Sequence, residues 1–130
     1  ERYPSSSSRL PDAVAAQGDT VHPLVAQIQR RAERGDAEAQ VDLGALLEKG
    51  MGLPRDPARA LQLYQRAGEK GNVFGQYFAG LLLGRSAPGV EKDTEAAARW
   101  FAKAEAQHFY MAAPGYWKKA VEPPFFHFSE

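Results

Sequence analysis

The chain has 130 residues, 44% hydrophobic and 25% charged, which is one domain's worth with enough apolar material for a core. Sixteen basic and sixteen acidic residues cancel, so no global field points to nucleic acid or to an anionic membrane surface. The lack of cysteine excludes disulfides, thiolate chemistry and cysteine-ligated zinc, and no apolar run approaches the roughly 18–20 residues that span a bilayer. The first residue is Glu1 rather than methionine, which reads as a processed or cut form and leaves any targeting segment open.

Residues 1–20 hold a run of four serines, two prolines and no sustained periodicity, and they read as a flexible leader or linker. From Thr20 the signals change. Pro23 suits a first helical turn, Leu24, Ile28 and Arg31 fall at i, i+4 and i+7, and Gly35 ends the segment. The basic run 29–34 suits the last turn of that helix, where cations oppose the dipole.

Next, Asp36 is the expected N-cap of a helix to about Lys49, with Ala39, Leu43, Leu46 and Leu47 as its apolar stripe. Gly44 removes a side chain where a neighbouring helix can come close. Gly50, Gly52 and Pro54 break the helix. Asp56-Pro57 then starts another, lined by Ala60, Leu63, Tyr64 and Ala67 and closed by Gly71. The same programme follows at an offset of 36 to 37 residues: Gly35, Gln40 and Gly44 recur as Gly71, Gln76 and Gly80. Asn72 is expected to cap a helix to about Leu83, GRSAPG to turn, and Asp93 to cap a helix through about Gln107 with Ala97, Trp100, Phe101 and Ala104 inward. A third unit begins near Phe109 and decays at Pro114-Gly115, with a short helix expected from Tyr116 to Val121. The expected limits are 1–20 for the leader, 21–109 for the repeats and 110–130 for a C-terminal cap and aromatic tail.

Self-similarity at this period marks stacked helical hairpins, none of which buries its apolar face alone. The signature Ala37, Ala39, Gln40, Leu43, Gly44, then Gly52, Asp56, Ala60, Tyr64, Ala67, resembles the Sel-1-like repeats, relatives of the tetratricopeptide repeats. The second copy keeps Gln76, Gly80, Gly89, Asp93, Ala97, Trp100, Phe101 and Ala104, and departs at Gly75 and Ala79, which replace Ala39 and Leu43. The resemblance implies an all-α solenoid of two full helix–turn–helix repeats with degenerate N- and C-terminal capping segments. It also implies a scaffold or adaptor, and it favours a bacterial source and the periplasm or cell envelope over the cytoplasm. Some members of the family neutralise a secreted toxin as immunity proteins, and a scaffold this small suits capping one protein.

Catalysis finds little to work with. His22, His108 and His127 are not at metal-ligand spacing, and GRSAPGVEK at 84–92 lacks the lysine–hydroxyl pair of a phosphate loop. No cofactor and no enzyme activity are expected. The informative difference lies where the fold imposes no residue type. Glu38, Asp42 and Ala45 on the polar side of the first leading helix become Phe74, Phe78 and Leu81 in the second, all on one face. Such a stripe must be covered. Either the chain covers it, with Phe125, Phe126 and Phe128 or with Tyr116 and Trp117, or a protein partner docks there, on the surface lined by the leading helices. The expected partner-binding residues are Phe74, Phe78, Leu81, Glu38 and Asp42. The partner is a protein, a toxin or effector in the immunity reading, and the chain is expected to be monomeric. The alternative is a structural segment whose stripe packs on further repeats of its own longer chain or on a twin subunit.

Overall fold

Each helix begins at a residue whose side chain satisfies a free N–H group of the first turn. The computed structural model of the chain describes residues 21–109, 112–113, 117–118 and 121, and the expected leader and the tail from 122 lie outside them. Five helices stand in order among the described residues: α1 Pro23–Glu33, α2 Ala37–Lys49, α3 Pro57–Glu69, α4 Val73–Arg85 and α5 Thr94–Glu105. Asp36 accepts from the N–H groups of Glu38 and Ala39, Asp56 from Arg59, Asn72 from Gly75 and Asp93 from Ala96. Each such cap contributes about 1 kcal/mol. His22 opens α1, its Nδ1 accepting from the N–H of Leu24 at 3.0 Å.

The helices pack in sequence, α1 on α2, α2 on α3, α3 on α4 and α4 on α5, with a lighter contact between α2 and α4. The core is the repeat pattern made solid. Ala39, Leu43 and Leu47 of α2 meet Ala60, Leu63, Tyr64 and Ala67 of α3, all buried, and Ala79, Leu82 and Leu83 meet Ala97, Phe101 and Ala104 one repeat on. Gly44 and Gly80 seat the two large rings. A Cβ at Gly44 would lie 2.6 Å from the Tyr64 ring, and one at Gly80 would lie 2.7 Å from the Phe101 ring. Gly75 stands where the first copy has Ala39 because α4 comes against the backbone of α3. A Cβ there would meet Gly68 N and Tyr64 O at 2.7 Å.

The two copies are also joined by one repeated hydrogen-bond arrangement. The buried Gln40 amide donates to Ala32 O at 3.3 Å, and Gln76 donates to Gly68 O at 3.0 Å. Each glutamine oxygen then accepts from the end of its own hairpin: Lys70 Nζ reaches Gln40 Oε1 at 3.4 Å, and Gln107 Nε2 reaches Gln76 Oε1 at 2.9 Å. The same two donors also bond the carbonyls of Gly35 and Gly71. A buried amide with both ends satisfied contributes modestly, whereas an unsatisfied one costs about 1–3 kcal/mol. Gly35, Gly71 and His108 close the hairpins with φ of 95°, 94° and 64°, so His108 holds, in left-handed backbone, the place of its glycine counterparts.

Three sequence-based expectations need correction. Leu46, expected in the apolar stripe of α2, is only half-buried and takes no part in the core, which Ala39, Leu43 and Leu47 make. The inward face of α1 is Val25, Ile28 and Ala32, and Leu24 is 62% exposed. The face is set by the burial of Val25, Ile28 and Ala32, which leaves Arg31 outward, where it meets Asp36 with Nη2 to Oδ2 at 2.8 Å. Trp117 is directed to the core and not to the Phe74 ring. It is buried and stacks on Phe101, centroids 4.7 Å apart and planes 16° apart. It stands 37 residues after Gly80, so the third unit puts a large ring where the first two leave room for one. Tyr116 and Phe125, Phe126 and Phe128, the other residues expected to cover the stripe, lie outside the described residues.

Candidate functional site

The side chains at i, i+4 and i+7 of each leading helix share its outward face, so α2 presents Glu38, Asp42 and Ala45, and α4 presents Phe74, Phe78 and Leu81. Phe74 is 49% exposed, while Phe78 and Leu81 are half-buried against the core. The Phe78 ring lies 5.4 Å from Tyr64 and 5.7 Å from Tyr77, which anchors it, and Phe74 stacks on Phe78 at 6.3 Å. The stripe is therefore graded: its lower part is tied to the core, and its head projects to solvent.

Glu38 and Asp42 are exposed, and among the described residues neither carboxylate has a hydrogen-bond or ion-pair partner. The cation that lies near them, Arg31, is held by Asp36. That hydrogen bond and the two backbone N–H groups at the cap hold the Asp36 carboxyl below the usual carboxylate range.

The two rows meet. Glu38, Val41, Asp42, Asn72 and Phe74 line an open groove of about 210 Å³ between α2 and the start of α4. Of the five residues expected to bind a partner, Glu38, Asp42 and Phe74 share this groove, and Phe78 and Leu81 continue the row along α4. Val41 and Asn72 escaped the sequence reading. Val41 sits three residues after Glu38 on the same side of the helix, and Asn72 was read only as a cap. One repeat on, the equivalent groove is filled by Phe109, 37 residues after Asn72, its ring 4.9 Å from Tyr77 and 5.7 Å edge-on from Phe74. The periodicity held that signal, since Phe109 begins the third unit as Asn72 begins the second.

The remaining candidates resolve into structural roles. His22 caps α1, His108 closes α5, and His127 lies outside the described residues. Segment 84–92 ends α4 and turns back through reciprocal bonds between Ala87 and Val90, with Val90 buried. Among the described residues no group of three or more His, Asp or Glu is placed to hold a metal ion, and no helix is long and apolar enough to cross a membrane.

Comparison with known proteins agrees with the repeat architecture. The family profile described as Sel1 repeat matches residues 37–72 and 73–109, so its two units coincide with α2–α3 and α4–α5. Among solved structures, the chain is similar to a protective antigen present in uropathogenic Escherichia coli strains that displays an SLR fold. There the identity is 35% and the TM-score 0.66 over 68% of this chain and 19% of the antigen. It is also similar to a Sel1 repeat protein from Oxalobacter formigenes, with 32% identity and a TM-score of 0.56 over 58% of this chain and 30% of that one. The chain thus spans under a third of the length of either. No curated protein matches it.

Proposed function

The chain belongs to the Sel1 repeat family, whose repeats generally mediate protein–protein interaction, and from that premise we propose that it is a non-catalytic module that holds a protein partner on the face formed by α2 and α4. One observation carries the reading: Phe74, a large aromatic half exposed at the head of an apolar row, stands beside two carboxylates without partners among the described residues. Aromatic side chains on a rigid scaffold are the usual energetic anchors of protein interfaces. The face serves an immunity-type inhibitor of a secreted toxin or an envelope adaptor equally, and the identity of the partner tells the two apart.

A second reading has its own support. Leu24 and Met51 are exposed large apolar residues at the α1 end of the stack, Met51 lying next to Gly52, which abuts Val25. Together with the greater length of the similar structures, this favours a solenoid segment that stacks on further repeats or on a twin subunit.

The test is capture of proteins from an extract of the native source on immobilised wild type and on Phe74→Glu/Phe78→Glu, with helicity checked by circular dichroism. The proposal expects a defined partner on the wild type and its loss on the folded double variant. Retention of the same partner by a folded variant would place the docking surface elsewhere. Self-association that disappears on Leu24→Glu/Met51→Glu would favour the segment reading.

A further inference from the structure

We propose that the partner inserts an arginine into the groove between α2 and α4, its guanidinium gripped by Glu38 and Asp42 and stacked on the Phe74 ring. The proposal rests on the reading of this face as the docking surface and goes further by naming the chemistry of what docks.

The molecule itself shows how such a groove is filled. In the second copy Phe109 places its ring against Phe74 and Tyr77 and closes the space. In the first copy the equivalent residue is Asn72, whose side-chain oxygen is turned back to cap the N–H of Gly75 at 3.0 Å. Nothing from the described residues takes the place of the Phe109 ring, and about 210 Å³ stays open. That is roughly seven times a water molecule's share of the liquid, a space on the scale of one long side chain.

Charge decides which side chain. Glu38 and Asp42 stand four residues apart on one helix face, where like charges repel. The nearby guanidinium of Arg31 is already committed to Asp36 at 2.8 Å. A cation entering the groove would relieve the repulsion and meet two acceptors. Val41 and Phe74 supply apolar wall for the methylene stem, and the exposed Phe74 ring offers a face for a flat cation. Arginine fits both demands through its planar fork of donors, whereas lysine brings a strongly hydrated point charge. An apolar neighbour of that arginine would then lie along Phe78 and Leu81.

Arg9-Leu10 of residues 1–20 carries the same chemistry, and competition by a synthetic peptide of residues 5–14 would make that segment the occupant and refute the proposal. The other occupants match less of the site. The chain's own terminal segment, EPPFFHFSE, has aromatics for the Phe74 row but two glutamates and no lysine or arginine for the acidic one. A second copy would have to bring one of its own exposed arginines, such as Arg30, Arg34, Arg59 or Arg66, into the groove. Each of these lies on a helix or turn and not in an extended segment with an apolar neighbour free to lie along Phe78.

The experiment selects random peptides displayed on phage against the full chain, then measures the enriched peptides by fluorescence anisotropy on wild type and variants. The proposal expects enriched peptides that carry an arginine beside an apolar residue. Exchange of that arginine for glutamine should weaken binding about tenfold, and Glu38→Gln/Asp42→Asn should weaken the parent peptide by a similar factor. Combining the two changes should add little, because both remove one interaction. Peptides that need Phe74, by the Phe74→Glu variant, but lack a cation or ignore Glu38→Gln/Asp42→Asn would overturn the arginine and leave the docking face standing. Peptides indifferent to Phe74→Glu, or no enrichment at all, would overturn both. Competition by a synthetic peptide of residues 122–130 would make the tail the occupant. Self-association in sedimentation velocity that is lost on Phe74→Glu would make it a second copy. Either result refutes the proposal.

Discussion

The two repeats are built on one frame and finished differently. In the first, the large ring of the trailing helix is Tyr64, whose hydroxyl donates to Glu48 at 2.8 Å, so the hairpin closes through a polar bond. In the second, the equivalent ring is Phe101, set between Gly80 and Trp117, with Val121 packed on Gly84, so the hairpin closes through apolar contact with the third unit. The outward rows diverge in the same sense, acidic on α2 and aromatic on α4. What is shared serves stacking: caps, small residues and the paired glutamines. What differs is what faces solvent or a neighbour, and that is where a partner would be chosen.

Several substitutions press on this comparison. The largest expected effect is that of Phe101→Ala, about 4 kcal/mol of stability lost in denaturant unfolding, since both faces of that buried ring are in contact. A loss under about 2 kcal/mol would mean that the second hairpin does not rest on this ring. Gly75→Ala comes next. Its new Cβ meets backbone atoms of α3 at 2.7 Å, which cannot swing away, and a loss of about 3 kcal/mol is expected, whereas Ala39→Gly at the equivalent position should cost only about 1 kcal/mol. Equal costs would erase the distinction between the two helix contacts.

Tyr64→Phe, which gives the first copy the ring of the second, is the mildest, about 1 kcal/mol near neutral pH. It also carries a pH signature. Burial, then the hydrogen bond to Glu48, push the Tyr64 hydroxyl well above its ordinary range near 10. The unfolded chain therefore releases that proton at lower pH than the folded one. The contribution of Tyr64 is complete below about pH 10 and declines as the pH rises above it. Unfolding measured from pH 8 to 11 should show that decline in the wild type and a flatter profile in Tyr64→Phe.

Much of the frame was legible because each helix start and each buried set appears twice. Asp56, Asp93 and the sets led by Ala60 and Ala97 fall where periodicity and capping chemistry put them. The face of α1 was not legible, because Leu24 and Val25 offer two overlapping apolar spacings with Ile28, and a single degenerate copy offered nothing to compare them with. The partners of Gln40 and Gln76 stayed hidden for another reason. Lys70 and Gln107 differ in type while donating to the same positions, so identity failed where geometry recurs. At the candidate site, the contrast between Glu38, Asp42 and Phe74, Phe78 was written in the sequence. The open groove was not, because it depends on Asn72 turning inward to cap α4 where Phe109 in the next copy fills space.

The central claim is that the head of the α4 stripe belongs to a partner and not to the core. The most direct test measures the unfolding free energy of Phe74→Glu beside its affinity for the partner captured by the wild type. The account predicts a stability within about 1 kcal/mol of wild type, as for a surface substitution, together with at least a tenfold loss of affinity. A stability loss of about 3 kcal/mol or more, or an unchanged affinity in a stable variant, would contradict it.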